Sequence, residues 1–389
     1  MGCGKLEMKK IKVLQCLGSL GIGGNEIFVM NFFRVIKKER FQVDFLVFDG
    51  TRLNFLKEIE DAGSRIFICP EKNKKNMLKQ MMFVYYVLKK HHYDVVHCHK
   101  CGFKGLLRGT IPAKLAGTKR VISHSHSVGS PKHTFFDERM RSALKILLCW
   151  SIDYGLACSD VAGQSKYTKR FMSSDKYGII HNAIPVEKYK FNKETRKDIR
   201  KKLQVEDAIV IGNVGRLATE KNQKYLLDIV FFLSQENKNV VLLIVGGGEL
   251  ECALKEEAER MGISNRVCFT GMVENANEYY SAMDVFVMPS LYEGLPFTAV
   301  EAQVNELKCV MADTVTAMTN ISGDVEFLSL DAPIMVWAEK VVKQAGCRSD
   351  AKQTKKVLTE YDLKSEVKRL EAYYQVFVPE KQHNQEGHI

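Results

Sequence analysis

Apolar and polar residues follow one another along the chain in blocks that predict strands and helices in regular succession. Short apolar runs bounded by glycine or polar residues predict strands, and longer runs with apolar residues every three or four positions predict helices. The strands predicted in the first half are Ile11–Leu17, Phe41–Phe48, Arg65–Cys69, Val95–His99, Arg120–His124, Tyr154–Cys158 and Gly178–His181. The helices predicted there are Glu26–Ile36, Leu53–Ala62, Met77–Lys89 and a region ending at Trp150. Such alternation predicts a parallel sheet covered on both faces.

The same alternation starts again after a charged stretch, Pro185–Lys202, which we interpret as a hinge followed by a helix. The strands predicted beyond it are Ala208–Val214, Val240–Val245, Val267–Thr270, Val285–Met288 and Cys309–Ala312. The helices predicted beyond it are Gln223–Ser234, Glu249–Met261, Ala276–Met283, Pro296–Val304 and Leu363–Phe377. A chain of 389 residues exceeds the size at which one core stops growing. We therefore predict two Rossmann-like α/β domains, 1–188 and 189–362, followed by a C-terminal helix and tail, 363–389.

Composition narrows the class of protein. The chain is 46% hydrophobic and 26% charged, as globular proteins are. Its apolar runs are too short to span a bilayer, and Met1–Lys12 is polar and basic rather than a secretory signal. These features favour a cytoplasmic location. Cys98 and Cys101 have the spacing of half a zinc site, but no second half follows them, so we expect no metal.

Charge is distributed unevenly between the two halves. The first 190 residues hold 33 Lys and Arg against 16 Asp and Glu, whereas the remaining residues hold 24 against 30. A basic half joined to an acidic half predicts an anionic partner for the first half only. A membrane surface, a phosphorylated acceptor and a nucleic acid are the candidates, but the basic residues form no nucleic-acid recognition motif.

Two carboxylates flank the start of a predicted helix in the second half. Glu293 precedes the helix in a turn that contains Gly294, Leu295 and Pro296, and Glu301 lies further along the helix. Proline is favoured in the first turn of a helix. Ionised carboxylates only accept hydrogen bonds, which suits the hydroxyl groups of a sugar. The alternative is a pair of solvated surface glutamates.

A second motif follows the strand Ala208–Val214. Arg216 and Lys221 stand there just before a predicted helix. Arginine binds phosphate through two parallel hydrogen bonds, lysine contributes a mobile charge, and a helix N-terminus attracts anions. The pair therefore suits a diphosphate leaving group, although a surface Arg and Lys at a helix start is the plain alternative.

Taken together, these motifs resemble glycosyltransferase family 4, whose members are retaining enzymes of the GT-B fold. The resemblance rests on Asn213–Arg216, Glu220–Asn222 and the motif from Glu293 to Glu301. It is extended by Gly23-Gly24-Asn25-Glu26, Asp94–His97 and His181–Ile184, and covers roughly residues 11–337. It implies two domains facing a central cleft, with the last helix crossing back to the first domain.

The resemblance also implies roles for individual residues. Arg216 and Lys221 would neutralise the departing diphosphate, Glu301 would bind the donor ribose, and Glu293 would bind a hydroxyl of the transferred sugar. The residues implied for the remaining contacts are Gly271 and Met272 for the base, Gly23 and Gly24 for close approach to the phosphates, Gly294, Leu295 and Pro296 for the donor, and His126 beside the reacting sugar.

His124 is a second candidate for the position beside the sugar, and the alternative for both histidines is a buried, satisfied position at a strand end. The resemblance makes UDP the expected nucleotide, requires no metal or other cofactor, and points to a glycan or polyprenyl-linked acceptor in exopolysaccharide or capsule synthesis.

Some positions depart from the family pattern. Glu306-Leu307-Lys308 replaces the usual Gly-x-Pro turn, and Asp313–Thr316 replaces the expected glycines. These departures leave open a UDP-sugar epimerase on the same fold or a catalytically degenerate scaffold. A nicotinamide oxidoreductase is disfavoured because Glu26 stands where the dinucleotide fingerprint needs its third glycine.

Two segments of the basic half are candidates for docking on an anionic membrane. Helix Met77–Lys89 places Leu78, Met81, Met82 and Tyr85 on one face. The lysines around it are Lys72, Lys74, Lys75, Lys79, Lys89 and Lys90. Residues from Lys132 to Trp150 form the second candidate. Core packing with a solvated rim is the alternative for the helix, whereas anionic lipid would attract the lysines.

Overall fold

The computed structural model describes residues 9–21, 23–73, 76–99, 103–126, 138–293 and 295–375. Within these ranges the chain forms two parallel β-sheets, each flanked by helices, as the alternation of strands and helices predicts. None of the described helices combines the length and apolar character needed to cross a membrane.

Seven strands form the first sheet. They are β1 (Ile11–Leu17), β2 (Phe41–Val47), β3 (Ile66–Ile68), β4 (Val95–Cys98), β5 (Arg120–Ser125), β6 (Tyr154–Ala157) and β7 (Tyr177–Ile179). Their order is β3-β2-β1-β4-β5-β6-β7, and all described pairs are parallel. Val13 of β1 lies opposite Val43 of β2 on one side and Val95 of β4 on the other. The order reverses direction between β1 and β4.

Six strands form the second sheet. They are β8 (Ile209–Val214), β9 (Val240–Val245), β10 (Val267–Phe269), β11 (Val285–Met288), β12 (Cys309–Ala312) and β13 (Val325–Leu328). Their order, β10-β9-β8-β11-β12-β13, repeats that of the first six strands of the first sheet. Here the reversal falls between β8 and β11, which pair through Ile211 and Val285.

The helices connect the strands and cover both faces of each sheet. Those of the first half are α1 (Gly24–Val35), α2 (Leu56–Asp61), α3 (Met77–His91), α4 (Phe103–Gly105), a π-helix (Leu106–Thr110), α5 (Ile111–Leu115), α6 (Glu138–Ser151), α7 (Asp160–Lys166) and α8 (Lys169–Met172). Those of the second half are α9 (Lys193–Leu203), α10 (Gln223–Gln235), α11 (Glu251–Arg260), α12 (Ala276–Ala282), α13 (Phe297–Val304), α14 (Ile334–Gln344), α15 (Ala351–Glu360) and α16 (Leu363–Tyr374). Short 3-10 helices are Glu71–Asn73, Val186–Lys188, Thr219–Lys221, Ser264–Arg266 and Ala317–Thr319.

Alternate residues of each strand point to opposite faces, so the first sheet has two cores. Val13 and Leu17 pack beneath α1 and α16, whereas Leu14 and Cys16 face α3, the π-helix and α6. The second sheet is buried on both sides, and its strands are accordingly near-continuous apolar runs such as Val240–Val245.

The last helix returns to the first domain, as the fold resemblance implies. The Glu371 carboxylate accepts a hydrogen bond from the Lys37 backbone N–H at 3.0 Å, and the Arg120 guanidinium donates to the Tyr373 carbonyl at 2.8 Å. Val367 and Leu370 pack into the core cluster that contains Val13. The helix α16 is therefore a structural part of the first domain, although it follows the second in sequence.

Candidate active site

The two motifs of the second domain meet where the strand order of its sheet reverses. In open parallel sheets, the loops at the carboxyl ends of the two diverging strands leave a crevice in which ligands bind. The loop after β8 carries Arg216 and Lys221, and the loop after β11 carries Glu293. The Leu291 N–H donates to the Glu220 carbonyl at 2.8 Å, which joins the loops directly.

An ion pair between Lys221 and Glu293 lies at the junction of these loops. The Lys221 ammonium donates to Glu293 Oε1, and both side chains are largely shielded, with 22% and 15% of their surfaces exposed. Asn222 caps the start of α10 in the left-handed conformation and donates from its side chain to the Pro289 carbonyl at 3.0 Å. The structure thus brings two residues 72 positions apart into one polar group beside a helix N-terminus.

Arg216 lies on the rim of the same crevice. Its guanidinium donates to the Glu220 carboxylate, and about half of its side chain is exposed. The hydrogen bond to Glu220 raises the pKa of Arg216, so the side chain stays cationic. An exposed arginine paired with a neighbouring glutamate can exchange that partner for an incoming phosphate at small cost.

Glu301 occupies a separate, more enclosed position in α13. Its Oε2 accepts a hydrogen bond from the Tyr280 hydroxyl at 2.5 Å, and the Tyr189 hydroxyl is a second donor. Burial raises the pKa of Glu301, while the two phenols act in the opposite direction. Tyr189 comes from the segment linking the two domains, and its carbonyl accepts from the Asn305 side chain at 2.7 Å. The second carboxylate of the motif is therefore fixed by aromatic hydroxyls.

Glycines allow the neighbouring turns to approach closely. A Cβ on Gly246 would lie 2.1 Å from the Gly215 carbonyl oxygen, so the turn after β9 packs directly on the turn after β8. Gly246 also pairs with Gly271, which follows β10 and has a φ of +67°. Met272 is largely exposed beside it. Both candidate base-binding residues thus lie at the carboxyl edge of the sheet.

The remaining residues of the Glu293 motif connect the two domains. Leu295 is buried, and its carbonyl accepts a hydrogen bond from the Asn182 side chain at 2.8 Å. Pro296 directly precedes α13, which begins at Phe297. Gly294 lies outside the described residues.

The glycine-rich loop of the first domain also follows a strand at a reversal point. Gly23 precedes α1 and Gly24 opens it, just beyond the end of β1. A Cβ on Gly23 would lie 2.6 Å from Glu26 Oε2, whereas Gly24 has open space around it. The Glu26 carboxylate accepts from the Ser19 hydroxyl at 3.2 Å, which holds the loop against the helix start. Because neither glycine has a side chain, the backbone of this loop stays accessible to a ligand.

His126 belongs to a cluster of four imidazoles at the ends of β4 and β5. Its Nε2 lies 2.9 Å from His99 Nδ1, and its ring is 4.1 Å from that of His124. Burial lowers the pKa of His126 to about 3 and those of His97, His99 and His124 well below the ordinary value. The cluster is therefore neutral at physiological pH. Of the two candidates, His124 is completely buried and His126 is partly exposed.

Three of these histidines are close enough to be considered as metal ligands. Nitrogen atoms of His97, His99 and His124 lie within 4.8 Å of one another. Both ring nitrogens of His99 already have hydrogen-bond partners, so ligation by His99 would break one of these bonds. That the protein needs no metal remains a prediction. Cys101, the second cysteine of the half zinc motif, lies outside the described residues.

The sequence motifs do not identify several residues that support the site. Tyr280 and Tyr189 hold Glu301, and Gln15 and Tyr374 hold the histidine cluster. The only signal in the sequence is Gln15, a polar residue within the apolar strand Ile11–Leu17.

Both halves of the chain match family models of glycosyltransferases. Residues 22–188 match the family model described as Glycosyltransferase Family 4, and residues 194–328 match the model described as Glycosyl transferases group 1. EpsF of Bacillus subtilis (strain 168), whose name places it among the glycosyltransferases, is 30% identical over 380 residues. That match spans 96% of this chain and 98% of EpsF.

An Escherichia coli relative and a solved structure extend the comparison. The relative is UDP-Gal:alpha-D-GlcNAc-diphosphoundecaprenol alpha-1,3-galactosyltransferase. It is 26% identical over 322 residues, a match that spans 79% of this chain and 81% of the relative's sequence. Anabaena Alr3699/HepE in complex with UDP superposes with a TM-score of 0.74 at 20% identity, covering 94% of this chain and 99% of that one. The last match concerns the fold alone, which is GT-B.

Proposed function

Because this chain belongs to glycosyltransferase family 4, we propose that it transfers a sugar from a UDP-sugar to a glycan or polyprenyl-linked acceptor, with retention of anomeric configuration. The observation that carries the proposal is the Lys221–Glu293 pair at the strand reversal of the second sheet. It places a shielded cation and a hydrogen-bond acceptor side by side, beside the N-terminus of α10.

The cations of this crevice supply what the departure of a diphosphate requires. As the glycosidic bond breaks, negative charge develops on the oxygen of the leaving group, and fixed cations stabilise it best where water is excluded. Lys221 is the shielded cation and Arg216 the mobile one on the rim. UDP as the nucleotide is supported by the HepE complex and by the E. coli relative's donor.

The remaining site residues orient the sugar and the nucleotide. Glu293 accepts a hydrogen bond from a sugar hydroxyl, Glu301 binds the ribose, and Gly271 and Met272 offer backbone groups to the base. His126, directly after β5 of the first domain, contacts the reacting sugar. The acceptor hydroxyl attacks from the face that the diphosphate leaves, so configuration is retained without a protein nucleophile.

The acceptor side is supported by charge and by one relative. The first half of the chain carries the excess of Lys and Arg, which suits an acceptor bearing phosphate. The E. coli relative's acceptor is linked to diphosphoundecaprenol. An anionic, lipid-linked acceptor fits this side, in the synthesis of exopolysaccharide or capsule.

Transfer of radiolabelled sugar tests the proposal directly. We expect label from a UDP-sugar to appear in a polyprenyl-diphosphate-linked saccharide only when enzyme, donor and acceptor are all present, and the new linkage to have the anomeric configuration of the donor. Conversion of the UDP-sugar into its epimer without any acceptor would instead identify an epimerase. A product of inverted configuration would contradict the retaining mechanism.

We also propose that the first domain docks on an anionic membrane. On α3, Leu78, Met82 and Tyr85 are exposed, so the alternative of core packing is wrong for these three residues. The helix buries its other face instead, through Gln80, Val84, Val87 and Leu88. The exposed apolar residues of α6 are Met140, Ile146, Leu147 and Trp150.

The two helices lie on the same side of the first sheet. Val84 of α3, Leu106 of the π-helix and Leu148 of α6 share one core cluster. Lys79 and Lys89 on α3 are exposed beside its apolar residues. An apolar surface with a basic border is suited to anionic lipid headgroups, each nearby basic residue contributing about 1 kcal/mol. Lys74, Lys75 and residues 132–136 lie outside the described ranges.

Co-sedimentation with phosphatidylglycerol vesicles at low salt should recover the wild-type protein, and added salt should release it because exposed charges are screened. Trp150, 72% exposed, is the anchor to test: Trp150→Glu should weaken binding several-fold. Phe231→Glu should leave binding unchanged. Phe231 is also an exposed apolar residue, but it belongs to α10 of the second domain and not to the proposed docking surface. Equal binding by both variants, or no binding of the wild type, would remove the proposal.

A further inference from the structure

A continuous polar stripe runs beneath α1 and α16 on one face of the first sheet. That face starts with apolar residues on each of three neighbouring strands. They are Val13, Val95 and Ile122. Two residues further along each strand, the same face carries Gln15, His97 and His124, all buried. Buried polar side chains are in most cases hydrogen-bonded.

Hydrogen bonds link this stripe from the last helix to the cleft. The Gln15 side-chain nitrogen donates to the Tyr374 hydroxyl at 2.9 Å, and that hydroxyl lies 2.6 Å from His97 Nδ1. The Gln15 side-chain oxygen lies 2.7 Å from His99 Nε2. His99 Nδ1 in turn lies 2.9 Å from His126 Nε2. Tyr374 of α16 is thereby connected to His126 through two side chains.

The donors and acceptors in this series of hydrogen bonds fix which group donates in each bond. Burial keeps both His99 and His126 neutral, and a neutral imidazole has one donor and one acceptor nitrogen. The Gln15 oxygen can only accept, so His99 donates from Nε2 and accepts at Nδ1. His126 must then donate from Nε2, and its Nδ1 carries the lone pair. Within the described residues, that nitrogen is buried and has no hydrogen-bond partner, as expected of an acceptor whose donor comes from a ligand.

We propose that Tyr374, Gln15 and His99 are positioning residues that hold His126 as the Nε2–H tautomer, with Nδ1 as the acceptor for a hydroxyl group of the bound sugar or of the incoming acceptor. This inference rests on the proposed function, in which His126 lies beside the reacting sugar. A helix that follows the second domain in sequence thus sets the chemical state of a residue in the first. Phe28 of α1 supports the ring edge-on, at 4.7 Å between ring centres.

The tautomer of His126 shows in which direction the hydrogen bonds from Tyr374 to His126 are donated. Rotating the Gln15 amide by half a turn would reverse every bond and leave the proton on His126 Nδ1. Nitrogen-15 NMR of histidine-labelled protein distinguishes a protonated from an unprotonated ring nitrogen, and the His126→Asn spectrum assigns the signal. We expect wild-type Nδ1 to be unprotonated at neutral pH without any substrate, so this measurement stands apart from transferase activity. A protonated Nδ1 would overturn the proposal.

Tyr374→Phe removes a single hydroxyl and tests the far end of the chain. It leaves the Gln15 amide without its acceptor, so His126 should show both tautomers, and kcat should fall at least about tenfold while the donor KM changes less than about twofold. Tyr373→Phe is the matched control, since that neighbouring hydroxyl makes no hydrogen bond with the described part of the chain; it should leave the tautomer and kcat unchanged.

Each outcome bears on one of the two proposals. An unchanged tautomer and unchanged kcat in Tyr374→Phe would exclude the positioning role. A mixture of tautomers with a lowered kcat supports it, provided that the melting temperature stays within a few degrees of the control. The expected tautomers in a wild-type protein that transfers no sugar would support the hydrogen-bond chain and contradict the proposed function alone.

Discussion

Lys221→Ala should lower kcat/KM for sugar transfer by well over tenfold. The substitution removes the shielded cation of the crevice and leaves the Glu293 carboxylate, 15% exposed, without its partner. Truncating one member of a shielded, hydrogen-bonded charge pair costs roughly 2–5 kcal/mol. The unpaired carboxylate would also repel the diphosphate, so the loss should appear in both donor affinity and turnover. Initial rates at varied donor concentration measure it.

Lys224→Ala is the matched control for this prediction. Lys224 lies in the first turn of α10, just after the 3-10 helix that ends at Lys221, and it also pairs with a carboxylate, that of Glu257, but its side chain is 60% exposed. Exposed ion pairs contribute little, so kcat/KM should change less than about twofold. Equal losses in both variants would mean that Lys221 acts through the stability of α10 and not through the site.

Glu301→Ala should also lower kcat/KM by well over tenfold. It deprives the Tyr280 and Tyr189 hydroxyls of their shared acceptor as well as removing the proposed ribose contact. Restoring the acceptor without the charge, as Glu301→Gln does, separates the two effects. If the loss reflects ribose binding, the donor KM should rise in both variants. Activity near that of the wild type in both Lys221→Ala and Glu301→Ala would end the assignment of this site.

The free energy of unfolding of the domain built on β1–β7 should fall by about 5 kcal/mol between pH 7.5 and pH 5.5. Burial holds the folded-state pKa values of His97, His99 and His124 well below the ordinary one, and it lowers the pKa of His126 to about 3. In the unfolded chain they titrate near pH 6.5. The unfolded state therefore binds more protons as the pH falls through about 6.5, and stability present above that pH is lost. Each group contributes about 1.4 kcal/mol over this interval.

Urea unfolding at the two pH values measures this loss, and two variants identify its source. His97→Gln removes one of the four titrating groups, so the difference between the two pH values should shrink by about a quarter, whatever the effect of the substitution on absolute stability. His92→Asn replaces an exposed histidine in the left-handed conformation, where asparagine is tolerated, and should leave the difference unchanged. A wild-type difference below about 1 kcal/mol would show that these histidines are not held neutral.

Much of the fold follows from the sequence because its strands are short, apolar and separated by turns. Twelve of the thirteen strands coincide with predicted ones within a few residues, whereas β13, which is not among the predicted strands, forms the edge of the second sheet. The helical run from Phe103 to Leu115 escapes prediction, since Gly105, Gly109 and Pro112 lower its intrinsic helix propensity. It forms because Leu106 and Ala113 are buried in the core that α3 and α6 share.

The candidate site follows from the sequence in part. The motifs identify Lys221 and Glu293 separately, but their pairing depends on β8 and β11 being neighbours, a property of strand order that no local pattern encodes. The histidines are likewise visible in the sequence, whereas the Tyr374 hydroxyl reaches Gln15 across 359 residues of chain. Long-range contacts of this kind exist only after the sheet and the returning helix have assembled. The domain boundaries and the role of each site residue remain predictions.

Binding of nucleoside diphosphates is the sharpest test of the proposed donor site, because it requires neither the acceptor nor knowledge of the sugar. Titration calorimetry and thermal unfolding with UDP, GDP, ADP and CDP should show selective binding of UDP. At a hundred times Kd, UDP should stabilise the protein by about 2.7 kcal/mol. Lys221→Ala should abolish this stabilisation and Lys224→Ala should preserve it. Indifference of the wild-type protein to every nucleotide would contradict a donor site at the Lys221–Glu293 pair.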